Sequence, residues 1–206
     1  MLRYMLTVIC VGLWALWASP AQADDRHDVQ SLMQSTIDKT LTILGNPALK
    51  SEDKRLERRA QVRAELLGVT DTRRVGQLVL GRQRSQFSEE QIRSFCDTFA
   101  QLVFFTYIAN LEAYTDQKVR IASVEMQPES RAYVCLKIIS DDKETPADFS
   151  LFKDEKGAWK CFDIKVEGVS LVSNYRSQFG ELLLKETPEQ VIADVRQKVK
   201  ENEQEL

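Results

Sequence analysis

The sequence predicts an α+β protein: an antiparallel, curved sheet of about four strands, covered on one face by helices, in the order αααα-ββββ-αα. Three observations carry the prediction. Apolar residues recur at helical spacing through residues 26–114 and again after residue 170. Between residues 118 and 167 they alternate by two instead. Two capping boxes, Ser88-Glu89-Glu90-Gln91 and Thr187-Pro188-Glu189-Gln190, mark helix starts on either side of that alternating region. Helices grouped apart from an antiparallel sheet bury their apolar stripes against it.

The 206-residue chain opens with a segment outside this plan. Arg3 supplies a short positive start, Leu6 to Ala18 an apolar run, and Ala21-Gln22-Ala23 a small-x-small cleavage pattern ahead of Asp24-Asp25-Arg26. The run is shorter than the ~20 residues a membrane-spanning helix needs. Residues 1–23 therefore read as a cleaved secretory signal peptide. Residues 24–206 are read as a single domain, long enough to bury a sizeable core.

The first helix is expected over residues 26–45, where Val29, Leu32, Met33, Ile37, Leu41 and Leu44 share a face until Gly45-Asn46-Pro47 stops it. A second starts near Ser51 with Glu52 and Asp53 suitably placed in its first turn, and its many charges give it a solvated surface. Asp71 caps a short third helix that ends at Gly81 and carries Val75, Leu78 and Val79. The fourth opens at the Ser88 box and runs to about Tyr114 with a wide apolar face, from Ile92 and Phe95 to Tyr107 and Leu111.

Strands are expected over 118–126, 131–140, 147–153 and 158–167, the last two joined by Asp154-Glu155-Lys156-Gly157. By parity, Val134, Leu136, Ile138, Phe149, Leu151, Phe162, Ile164 and Val166 share one face; Tyr133, Cys135, Lys137, Ser150, Trp159, Cys161 and Asp163 share the other. That register sets Cys161 opposite Ser150, and Ser150 opposite Cys135. Cys135 and Cys161 are then a whole strand apart, near 10 Å, too far for a disulfide. Two helices close the chain, from Ser170 to Leu184 and from Thr187 into a charged tail.

Little catalytic chemistry is present. With formal net charge −3, the chain lacks the basic footprint of a nucleic-acid binder. Gly76 and Gly81 stand alone, so no phosphate loop is formed, and no GxSxG occurs. His27 is the one histidine and lies beside the cleavage site, and the cysteines have no CxxC spacing, which argues against a metal centre. One acid on the sheet is worth keeping: Asp163, which in an isomerase-like enzyme with a curved-sheet pocket would act as a base. An apolar sheet face opposed by apolar helices is otherwise either a packed core or a slot for an apolar ligand.

A resemblance separates these readings. Phe162-Asp163-Ile164-Lys165-Val166-Glu167-Gly168-Val169-Ser170, followed by Asn174-Tyr175-Arg176 and Phe179, is similar to a signature of the MlaC family of periplasmic phospholipid-binding proteins, also described as toluene-tolerance proteins. Val79-Leu80-Gly81, Ser88–Gln91 and the Phe99…Tyr107 stretch match the family in order and spacing. The resemblance implies a soluble periplasmic carrier of glycerophospholipids between inner and outer membranes, maintaining outer-membrane lipid asymmetry. It implies no cofactor, phospholipid as cargo, and an apolar pocket between sheet and helices. Its partners would be an inner-membrane ABC transporter complex with a membrane-anchored substrate-binding-type subunit, and an outer-membrane lipoprotein complex.

On that reading Phe99, Leu102, Val103, Tyr107, Val134, Leu136, Leu151, Phe162, Ile164, Val169, Leu171 and Val172 are the candidates for the slot. Gly168 is the candidate hinge, because glycine tolerates backbone angles that other residues avoid. Arg176 either contacts the lipid phosphate or braces a carboxylate on the sheet. Ser170 is expected to cap the helix that follows it. Two other classes remain open at this point: the isomerase-like enzyme with Asp163 as base, and a non-catalytic envelope adaptor.

Overall fold

The computed structural model describes residues 20–113, 118–140 and 143–204. The expected leader lies almost wholly outside the described residues. Helix α1 spans Pro20–Gly45, α2 Arg55–Gly68, α3 Thr72–Leu80 and α4 Glu89–Glu112. Strands β1 (Lys118–Gln127), β2 (Arg131–Ser140), β3 (Lys143–Lys153), β4 (Trp159–Val166) and β5 (Val169–Ser170) follow, then α5 (Leu171–Leu182) and α6 (Pro188–Gln204). The sheet is an antiparallel meander in the order β1-β2-β3-β4-β5. The fold class is the expected one, with a fifth strand of two residues that is too short to leave an alternation pattern.

Local chemistry sets the helix starts. Both capping boxes form: Ser88 N–H donates to the Gln91 side chain at 2.7 Å while Gln91 N–H donates back to Ser88 Oγ, and Thr187 and Gln190 repeat the exchange. Asp71 caps α3 by accepting from Arg74 N–H at 2.8 Å. The long α4 stripe packs against α3, α5 and α6, where Phe95 and Phe99 stack at 5.7 Å and Phe179 meets both edge-on. α1 crosses the sheet with Val29 and Met33 down on Val134, Leu151 and Trp159. It is pinned by Asp25 to Lys153 at 2.5 Å and by Arg26 to the Val124 carbonyl.

The β3–β4 register differs from the expectation, and the turn is the reason. The connection uses five residues rather than four: Lys153 pairs with Trp159, and Asp154 Oδ1 accepts from both Lys156 and Ala158 N–H. Cys161 therefore faces Leu151, not Ser150. A bulge at Phe162 then restores the original parity, so Ser150 pairs with Asp163 and Phe149 with Ile164. Trp159 and Cys161 move to the core face, and Phe162 leaves it as the bulged residue, its ring 6.0 Å from Phe152. Cys135, opposite Asp148, lies on the far face of the sheet from Cys161, and all three described cysteines are free thiols.

Gly76 has a packing role that its isolation in the sequence conceals. A Cβ there would lie 2.4 Å from Cys96 Sγ and 3.0 Å from Cys96 Cα, so the α3–α4 approach needs a bare backbone. Gly76→Ala is expected to destabilise the fold by about 1–3 kcal/mol through overpacking. Thermal melts followed by circular dichroism read this as a midpoint several degrees lower; an unchanged midpoint would show that the two helices separate freely.

Candidate functional site

A partly open cavity of about 170 Å³ lies between the sheet face and the helices. From the sheet it is walled by Phe149, Leu151, Cys161 and Ile164, with Phe162 and Asp163 at the β4 edge. Helix α4 contributes Phe99, Ala100, Val103 and Phe104, and α5 contributes Leu171 and Val172. α1 supplies Met33 and Thr36, and the end of α2 with the following turn supplies Leu66, Leu67, Val69 and Thr70. Thr72 and Val75 of α3 complete it.

At this wall Thr36, Thr70 and Asp163 have their polar side-chain atoms engaged by neighbouring groups. Thr36 Oγ1 donates to the Leu32 carbonyl and Thr70 Oγ1 to the Leu66 carbonyl, both at 2.8 Å. Each hydroxyl is thereby satisfied by its own chain. The Asp163 carboxylate accepts from Ile164 N–H (2.9 Å), Val172 N–H (3.0 Å) and Ser170 Oγ (2.6 Å). Burial pushes the Cys161 thiol up to about 12 and the Cys96 thiol up to about 11, so neither is a nucleophile at neutral pH. Apolar cavities of about 150 Å³ stay dry and take up apolar molecules. This one is partly open, with walls of the same apolar character.

Of the residues expected in the slot, Phe99, Val103, Leu151, Phe162, Ile164, Leu171 and Val172 line the cavity. Five lie elsewhere. Leu102 sits about 100° round α4 from Val103, turned into the helical core. Val134 and Leu136 are on the correct sheet face but on β2, inside the cluster that packs under α1. Tyr107 is 40% exposed and approaches Tyr175, and Val169 is 62% exposed on β5. The wall residues not anticipated come mainly from the α2 end. The apolar residues Leu66, Leu67 and Val69 at the end of a charged helix were the available signal.

The remaining candidates have structural duties. Arg176 is exposed and braces a backbone carbonyl rather than a carboxylate: its Nε donates to Leu78 O at 2.6 Å, near the C-terminus of α3, where a cation is favourable. Gly168 has φ +83 and follows Glu167 at φ +50, the two central residues of the tight β4–β5 turn. That conformation demands a glycine whether or not the segment hinges. Ser170 caps α5 by accepting from Ser173 N–H at 3.0 Å, as expected.

With this geometry in view, the comparison with known proteins is decisive. The family description "MlaC protein" matches residues 34–197, four-fifths of the chain. The chain belongs to the MlaC family. A relative from Haemophilus influenzae, the intermembrane phospholipid transport system binding protein MlaC, is 27% identical over 171 residues, covering 81% of this chain and 79% of that protein. A solved structure of a phospholipid-binding protein from Ralstonia solanacearum, in complex with a phospholipid, superposes with a TM-score of 0.74 at 23% identity. It covers 85% of this chain and 98% of that one, and shows that the two share the MlaC fold.

Proposed function

We propose that this MlaC-family chain is a phospholipid-binding protein of intermembrane phospholipid transport, a non-catalytic periplasmic carrier that shields acyl chains from water. The observation that carries the reading is the cavity between sheet and helices, walled almost wholly by apolar side chains, with the Thr36, Thr70 and Asp163 side chains beside it already hydrogen-bonded. Each methylene moved from water into such a site is favoured by ~0.8 kcal/mol, so acyl chains are held strongly without any head-group contact. The named function of the Haemophilus relative and the phospholipid bound in the Ralstonia protein support the same conclusion.

The finer parts of the reading rest on the family. The cargo is glycerophospholipid moving between inner and outer membranes, in a system that maintains outer-membrane lipid asymmetry. The donor and acceptor are an inner-membrane ABC transporter complex with its membrane-anchored substrate-binding-type subunit, and an outer-membrane lipoprotein complex. The leader is removed after Ala23, placing residues 24–206 in the periplasm. Asp163 fits this reading better than the isomerase alternative, since its carboxylate is occupied in capping a helix.

Solvent extraction of protein purified from the periplasm, followed by mass spectrometry, tests the proposal. Phospholipid in near-stoichiometric amount is expected. Protein that is folded yet lipid-free, and that takes up no phospholipid from vesicles, would overturn it.

A further inference from the structure

The apolar interior is divided into separate bodies. One core packs α3, α4, α5 and α6 around Phe95, Phe99 and Phe179; another packs α1 against the sheet around Val29, Val134 and Leu151. A smaller core at Val62, Phe104 and Ile108 joins α1, α2 and α4. The cavity lies in the seam between the first two bodies, with Leu171 and Val172 on the helical side and Ile164 and Leu151 on the sheet side. The seam can widen there without opening either core. Acyl chains that occupy the cavity lie between these two walls.

One carboxylate spans this seam at the α5 corner. Asp163 sits on β4, yet two of its three hydrogen bonds reach the start of α5, to Val172 N–H and Ser170 Oγ. Ser170 in turn accepts from Ser173 N–H, so the exposed amides at the head of α5 are closed by a cap shared between strand and helix. The negative charge also lies at the favourable end of the helix dipole.

Other ties at this corner are slight. β5 pairs with β4 at only two positions, and its turn places Glu167 in a conformation that L side chains avoid. The Glu167–Lys143 ion pair is exposed and screened by solvent. In contrast, α5 is fastened to the helical body by Phe179 in the aromatic core and by Arg176 on the Leu78 carbonyl. Two residues back along β4, the strand is held by backbone bonds between the 69–71 turn and Cys161, at 2.8 and 3.0 Å. Parting is therefore one-sided, with the Asp163 corner as the side that gives.

We propose that Asp163 is a positioning residue for cargo exchange: its carboxylate latches the α5 wall of the cavity to the β4 wall and sets how fast phospholipid enters and leaves. The proposal rests on the carrier reading. It assigns Asp163 to the rate of exchange rather than to affinity, because a latch closed on both the empty and the loaded protein contributes equally to each.

The test loads wild-type protein and variants with a fluorescent phosphatidylethanolamine and follows its transfer to phosphatidylcholine vesicles. Asp163→Asn is expected to accelerate transfer by roughly tenfold, the factor for losing one charge-assisted hydrogen bond, with the loaded fraction at equilibrium little changed. Should that variant fail to fold, Ser170→Ala removes one bond of the latch and is expected to give a smaller acceleration. Val191→Ala is the control: it hollows the helical core away from the seam and should leave the rate unchanged. A folded Asp163→Asn protein exchanging at the wild-type rate, or equal acceleration by Val191→Ala, would overturn the latch while leaving the carrier intact. Wild-type protein that carries no phospholipid would instead remove the carrier reading on which the latch rests.

Discussion

Protein carrying Ala100→Trp is expected to purify folded and empty of lipid. Ala100 lies on α4 between Phe99 and Val103 and is only half-buried, with the cavity before it. An indole placed there occupies space meant for cargo and meets an apolar wall, so the fold gains contacts as the cavity is lost. Displacing five or six methylenes of acyl chain at ~0.8 kcal/mol each removes about 4–5 kcal/mol of binding, on the order of a thousandfold in Kd. Extraction and mass spectrometry give the lipid content, and circular dichroism the fold. Wild-type lipid content in the folded variant would place the cargo somewhere other than this cavity.

The second large effect is on stability, at Glu112. This carboxylate ends α4, where the helix dipole disfavours an anion, and it is held by Arg58 at 2.9 Å and Arg59 at 2.6 Å from α2. Arg58 also donates to the Leu49 carbonyl, so one cluster joins α2, α4 and the turn after α1. Burial alone would push the Glu112 carboxyl up, but hydrogen bonds from Arg59 and Arg58, with their charges, outweigh it and hold the carboxyl below its ordinary value. Glu112→Gln leaves two guanidinium groups side by side without that anion between them. A loss of about 3 kcal/mol is expected, the scale for breaking a largely buried pair from one side.

The pH dependence has a definite sign. A carboxyl lowered in the folded state stabilises fully above its unfolded value of about 4.3, and this contribution disappears as pH falls through the folded value. The stability gap between wild type and Glu112→Gln should therefore be constant at neutral pH and narrow below about 4.3. Urea unfolding at a series of pH values measures it. A gap that stays constant into acid would show that the charge of Glu112 is not what holds the cluster.

Most of the element plan was legible because it is written locally. Ser88 and Thr187 announce α4 and α6 through side chains that bond amides three residues away, and those bonds form as read. The β2 strand begins and ends as expected because alternation over ten residues has one good interpretation. The candidate site was less legible. Val103 and Leu102 are equally apolar neighbours, and only the rotation of α4 against α5 and α6 decides that the first faces the cavity and the second does not.

By itself, then, the sequence determined the order of helices and strands, their caps, the apolar character of both layers and the family signature around Glu167-Gly168-Val169-Ser170. Each depends on residues within a few positions of one another. Tertiary structure alone decided that a five-residue turn and a bulge at Phe162 carry Cys161 onto the cavity wall, and that Asp163 ties a strand to a helix. It also decided where the two cores fail to meet. A cavity is a volume that no side chain fills. Packed and unpacked interiors require the same apolar residues, so only their arrangement in space tells them apart.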